Sequence, residues 1–188
     1  MDWDRIVKAA RESFRDGVNE WISHASIKGG TVSGPNGQIP PGSLSSTVQF
    51  EPKILQALAA AGAPQPVARA VAAELWAAWK AWSDGFGMSL AGGFPTLAAV
   101  PGPAMGPTRS TPVPLSKGSS SGEARLSAKV LSANLLQALE RTGQYNWAYT
   151  LRRPPTSGSE PPALIQSLAD WVDSSFQDWK RLSQFAGL

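Results

Sequence analysis

His24 is the only histidine in the chain. A Ser-His-Asp relay would have to be built around it, and no G-x-S-x-G elbow exists to present a nucleophilic serine. Glu20 stands four residues upstream, so the local expectation is a helix-end histidine partnered by that carboxylate. Metal chemistry meets the same obstacle. H-x-x-x-H and paired E-x-x-H sites need a second histidine, and there is no cysteine to replace it. Asp170 and Asp173 lie three apart on a predicted helix and could share a proton or a cation; a polar helix flank is the simpler reading of that spacing. Ser116-Lys117-Gly118-Ser119 has the residue types of a phosphate loop without the G-x-x-x-x-G-K-[ST] order that turns backbone N–H groups toward phosphate. No catalytic, cofactor-binding or metal-ligating residue is assigned, and the chain reads as a non-enzyme without a cofactor.

The composition narrows the partners. Among 188 residues, 16% are charged, the formal net charge is +3, and there are 18 glycines, 16 prolines and 8 tryptophans. Ordinary soluble domains carry roughly a quarter charged residues. A low-charge, Trp-rich, Gly/Pro-rich chain suits a subunit partly covered by neighbours. The basic residues do not cluster: Arg152-Arg153 and Lys180-Arg181 are the adjacent pairs, too few for dedicated nucleic-acid binding. The start, MDWDRIVK, has no apolar core of a signal peptide. The longest uncharged run, Gly85 to Thr108, contains Pro95, Pro101, Pro103 and Pro107 and cannot stay helical in lipid, so membrane association is not expected.

The elements that would carry any site are helical. The spacing predicts a mainly α fold: about five helices in one compact body over 1–188, with two long Gly/Pro-rich extended loops. The organising element is Pro66 to Phe86, where Trp76, Trp79 and Trp82 recur every third residue and spread over one broad helix face. Trp3 to Ile27 is a first helix with Trp3, Val7, Ala10, Phe14, Val18, Trp21 and Ala25 as its seam; Lys8 faces Glu12, and Gly29-Gly30 ends it. Phe50 to Ala61 is a short second helix using Ile54, Leu55 and Leu58. Glu123 to Thr142 is a fourth, with Leu126, Val130, Ala133, Leu136 and Leu139 inward and Leu131 and Leu135 flanking. Pro162 opens a fifth, where Ile165, Leu168, Val172, Phe176 and Trp179 keep heptad spacing, widened by Trp171, Leu182 and Phe185. The expected core aromatics are Trp21, Trp76, Trp79, Trp82, Trp171, Phe176 and Trp179. Between the helices, Asn36-Gly37 is a hairpin turn signal, with Thr31 and Val32 on one side and Ile39 on the other.

Leu55-Gln56-Ala57-Leu58 recurs as Leu136-Gln137-Ala138-Leu139, each with a glycine four residues beyond its last leucine. Each short helix follows an aromatic helix and a Pro/Gly loop. The order is consistent with an internal duplication, halves 1–62 and 64–142, closed by a helix over 162–186.

The stretch Pro107-Thr-Arg-Ser-Thr-Pro-Val-Pro-Leu-Ser-Lys117 is similar to linker segments in small helical virion proteins of tailed bacteriophages, and the loop-rich helical body resembles them as well. That resemblance implies a structural assembly protein, a minor component of capsid, neck or tail, located in the virion or in the cytoplasm before assembly. Its partners would be other protein subunits, including further copies of itself. The residues expected to meet them lie on the loops: Ile39, Pro40 and Pro41 on the first; Phe94, Pro95, Leu97, Val100, Pro101, Pro103, Met105, Pro112, Val113, Pro114 and Leu115 on the second. The alternative is a helical protein that meets a membrane or a small ligand through Gly85 to Thr108.

Overall fold

A computed structural model describes residues 2–29, 31–33, 36–90, 113–143 and 161–185. Its centre is the tryptophan helix, here α3, Gln65–Gly85, entered through Pro64 and with Pro66 in its first turn, where a missing N–H costs nothing. Around it stand α1 (Trp3–Ser23), α2 (Glu51–Ala60), α4 (Ala128–Arg141) and α5 (Pro161–Leu182). Consecutive helices pack side by side, and α5 returns to lie against α1, so the five described helices close on themselves. Trp79 sits where they meet. Its ring lies 5.4 Å from Trp21 and 6.4 Å from Phe14 on α1, 6.5 Å from Phe176 and 5.5 Å from Trp179 on α5, and 6.3 Å from Phe50 before α2. Most of these pairs are edge-to-face, the arrangement ring quadrupoles favour. Trp21, Trp79, Trp82 and Phe176 are buried as expected. Trp76, Trp171 and Trp179 are only partly covered, packed against the core from its margin. Phe50 and Phe86, both buried, belong to the same cluster.

The seam of α1 is buried from Trp3 through Trp21, with Ile6, Ser13 and Gly17 added to it. Asp2 caps its start, accepting from the Arg5 N–H at 3.0 Å. The helix stops at Ser23 rather than running to Ile27. Ser26–Ile27 instead form strand β1, paired with Leu44–Ser45 (β4). At the helix end the Ser23 hydroxyl donates to the Glu20 carbonyl and the His24 ring meets the same oxygen, while pairing with Leu44–Ser45 holds Ser26–Ile27 extended.

Both long loops carry strands. Thr31–Ser33 (β2) pairs antiparallel with Asn36–Ile39 (β3), as the hairpin signal implied. The register nevertheless opposes Asn36 to Ser33 and Gly37 to Val32. Asn36-Gly37 therefore lies inside β3, and the reversal falls between Ser33 and Asn36. Phe86–Leu90 (β5) continues directly from α3 and pairs with β3; its other side takes Ser119–Ser120 (β7), giving the order β2-β3-β5-β7. Val113–Pro114 (β6) pairs with Gln184–Phe185 (β8) beyond α5. The expected loop from 87 to 122 is thus structured at both ends, its middle, 91–112, lying outside the described residues.

The fourth helix is broken. Glu123–Leu126 form a 3-10 turn, Ser127 is extended (ψ 142), and α4 begins only at Ala128. That break resets the helical phase, so the buried stripe is Leu131, Leu135 and Leu139, with Val130 and Leu136 at its edges and Ala133 exposed. Leu126 is buried too, but from the 3-10 turn. On α5, Ile165, Leu168, Val172 and Phe176 are inward as expected, whereas Leu182 is 73% exposed. The two related tetrapeptides share one burial pattern: Leu58 and Leu139 are buried, Leu55 and Leu136 half-covered, Gln56 and Gln137 exposed. Gly62 and Gly143, each two residues past its helix, both take the positive φ that closes a helix (88° and 65°).

Candidate functional site

The residues singled out for chemistry have structural partners. The His24 ring meets the Glu20 backbone carbonyl at 2.9 Å and the Ser23 hydroxyl at 3.0 Å; the Glu20 carboxylate pairs instead with Lys53 on α2, at 3.0 Å. Asp170 and Asp173 do not act together. Asp170 accepts from Gln166 on its own helix. Asp173 accepts from the backbone N–H of Ala128 at 2.9 Å, and so caps the start of α4 from a different helix. Ser127, the residue at the cap position, makes no side-chain cap bond; its hydroxyl donates to the Ala124 carbonyl, and Asp173 supplies the acceptor for the first helical N–H. Among the described residues no group of three or more His, Cys, Asp or Glu could hold a metal ion.

Ser116-Lys117-Gly118-Ser119 is a folding element. Leu115–Lys117 make a 3-10 turn, Gly118 lies so close to Phe86 that a Cβ there would stand 2.4 Å from the ring, and Ser119 pairs with Gly87. The following Ser120-Ser121-Gly122 lies on the C-terminal part of α3. The Ser120 hydroxyl donates to the Trp82 carbonyl at 2.7 Å, and Gly122 touches the backbone at Ala81. Glu123 then receives the Lys180 ammonium through both oxygens, at 2.9 and 2.7 Å, with the lysine side chain only 13% exposed. A stretch of small polar residues is the seam that ties the sheet, α3 and α5 together.

The expected partner-binding residues divide four ways. Phe94, Pro95, Leu97, Val100, Pro101, Pro103, Met105 and Pro112 lie outside the described residues. Ile39 (3% exposed) and Leu115 (4%) are spent in this chain's own core and are not free to anchor a neighbour. Val113 and Pro114 are paired with the chain's own C-terminal strand. Pro40 and Pro41 are exposed, and Pro41 borders an open cleft of about 530 Å³ with Ser89, Lys117, Ser119 and Ser121. Two backbone features nevertheless suit docking. Among the described residues nothing pairs with the outer side of β2, which leaves an open sheet edge. The stretch 91–112 also departs from one pinned strand, β5, and rejoins the body at another, β6.

Two further concavities lie between helices. The α1–α2 groove, about 670 Å³, is open and carries Arg5, Lys8 and Lys53 beside Glu12 and Asp16, charges that largely cancel. The α1–α5 slot is smaller, about 150 Å³, and aromatic. Phe14 and Val18 wall one side, Trp171, Phe176 and Trp179 the other, and Trp79 lines it as well. The more polar Arg15, Asn19 and Ser175 complete it. The indole N–H groups of Trp79 and Trp82 are buried and have no hydrogen-bond partner among the described residues. The sequence carried a signal for this slot: Phe14 and Val18 at i, i+4 on one helix, and Trp171, Ser175 and Trp179 at i, i+4, i+8 on the other. Read as stripes, these positions looked like core. Among the described residues, no helix is long and apolar enough to cross a membrane.

No protein-family model, curated protein or solved structure matches this chain.

Proposed function

We propose that this chain is a non-enzymatic assembly protein that docks neighbouring subunits through its extended segments. The particle the sequence resemblance points to is the virion of a tailed phage, with this chain a minor component of it. The observation that carries the docking reading is the edge of β2 that no described residue pairs with, in a sheet whose third strand, β5, is followed in sequence by the stretch 91–112. An unpaired strand edge offers its backbone N–H and C=O groups to a neighbour's strand, and the Pro/Gly-rich stretch that follows β5 in sequence offers apolar residues for a second contact. The polar chemistry supports the same reading: His24, Asp173 and the Ser-Lys-Gly-Ser turn each serve the chain's own architecture.

The test is deletion of Ala91 to Pro107 from the full chain. Assembly, followed by sedimentation velocity and by incorporation into particles, is expected to be lost while the helical circular dichroism stays that of the intact chain. A deleted chain that assembles normally would overturn the arm as the docking element. A full-length chain that is a monodisperse monomer, with the 91–112 stretch already resistant to protease, would overturn the assembly reading itself.

A further inference from the structure

We propose that Asn36 is a site of spontaneous covalent modification, deamidation to aspartate and isoaspartate, whose rate is set by opening of the sheet around β3. The chain has four asparagines, and only Asn36 is followed by glycine; the others precede Glu20, Leu135 and Trp147. A glycine has no Cβ to obstruct attack by its own backbone nitrogen on the preceding side chain. In that reaction the Gly37 nitrogen gives its proton to solvent base and bonds to Cγ of Asn36, and the side-chain nitrogen takes up a proton and leaves as ammonia. Water then opens the five-membered imide at one carbonyl or the other, which yields aspartate or isoaspartate at position 36. The net change is amide plus water to acid plus ammonia, with no oxidant or reductant. The structure exposes one reactant and withholds the other. Asn36 is exposed, whereas Gly37 is buried. Gly37 lies opposite Val32 on β2 and Leu90 on β5, in a strand with a neighbour on each side. Ring closure needs the extended backbone at 36–37 to swivel and the Gly37 nitrogen to meet solvent base, so the pairing must part first. The unit that must open is small. β2 has three residues and β3 four, and the described register with β5 begins at Gly37, one residue beyond Asn36. Such a unit can open while the helical core stays closed. The related pairs Asp16-Gly17 and Asp84-Gly85 lie within α1 and α3, where helix hydrogen bonds hold the glycine N–H. Isoaspartate routes the main chain through the side-chain carbon and so lengthens β3, which a strand registered on both sides does not absorb. The new carboxylate also brings charge to a sheet face where exposed Gln38, Ser89 and Ser119 carry none. Modification therefore loosens the β2–β3 pairing. The inference stands apart from the docking role proposed above.

The test incubates the full chain in mildly alkaline buffer, folded and in urea. The peptide containing position 36 is followed by mass spectrometry and by isoaspartate-specific enzymatic methylation. In urea, Asn36 is expected to be the first asparagine converted. In the folded chain the same product should form at least about tenfold more slowly, and hydrogen exchange at the Gly37 amide should be slowed by a factor within about threefold of that, because both need one opening. Ser89→Pro removes a β5 backbone N–H opposite Gln38 and leaves the reactive dipeptide untouched. It should speed conversion at least about threefold while the helical circular dichroism stays that of the parent. Should Ser89→Pro not fold, Thr31→Pro unpairs β3 from the β2 side. The isoaspartate form, once purified, should exchange its amides at 31–33 faster than the parent. Any of four outcomes overturns the inference: conversion as fast in the folded chain as in urea, no conversion at Asn36 over a time in which the Gly37 amide exchanges, an unchanged rate in a folded proline variant, or unchanged exchange at 31–33 in the isoaspartate form.

Discussion

Replacing Gly122 with alanine tests whether the serine-glycine seam is part of the fold's structure or mere linker. The residue sits at φ −89°, ψ −2°, a conformation alanine adopts freely, so backbone strain plays no part. Space decides the outcome. A Cβ at this position would stand 2.0 Å from the Ala81 carbonyl oxygen, 2.2 Å from its carbon and 2.8 Å from the Trp82 nitrogen. Ordinary contact is about 3.5 Å, so the turn would have to retreat by roughly 1.5 Å from α3. Every obstructing atom is helix backbone and cannot swing aside. Retreat breaks the 2.7 Å bond from the Ser120 hydroxyl to the Trp82 carbonyl and loosens the β5–β7 pair. A lost hydrogen bond contributes about 1 kcal/mol and the misfit about 2 more, for a destabilisation of ~3 kcal/mol. In a chain this long that lowers the melting temperature by about 6–12 °C. Gly62→Ala is the control. Nothing lies within 4 Å of its Cβ position, and its penalty comes only from φ +88°, about 1–2 kcal/mol. Far-UV circular dichroism melts and urea titrations measure both, and amide exchange at 119–126 locates the loosening. A Gly122→Ala chain within ~0.5 kcal/mol of the parent would refute the close approach of this turn to α3.

Two further substitutions probe how the helices are held. Gly17 lies inside α1, where alanine would ordinarily stabilise by about 1 kcal/mol. Its Cβ would stand 2.6 Å from both Cβ and Cγ of Phe50, so Gly17→Ala should instead destabilise by ~1–2 kcal/mol in urea titrations. Asp173→Ala should cost ~1 kcal/mol by removing the acceptor for the Ala128 N–H, Asp173→Asn should recover most of that, and Asp170→Ala should stay within ~0.5 kcal/mol in urea titrations.

Periodicity alone made the helices legible, because a helix face repeats every 3.6 residues whatever it packs against. The α1 seam, the Trp79–Trp82 centre, Ile54 with Leu58, and the inward face of α5 were all readable this way. So were the helix stops at Gly62 and Gly143, where local chemistry suffices. Contacts distant in the sequence were not readable. Ser26–Ile27 became a strand because Leu44–Ser45 stand opposite, and Asn36-Gly37 lost the turn because β5 fixed the register of β3. The fourth helix broke at Ser127, where Asp173, 45 residues beyond Ala128, could cap the stretch that follows. The same limit hid the aromatic slot. Each of its walls reads as an ordinary apolar stripe, and only the crossing of α1 over α5 determines whether two stripes close on each other or leave a gap. Side-chain spacing along a chain is a local property; the void between two helices depends on how both backbones are held, and that is decided by the whole packed core.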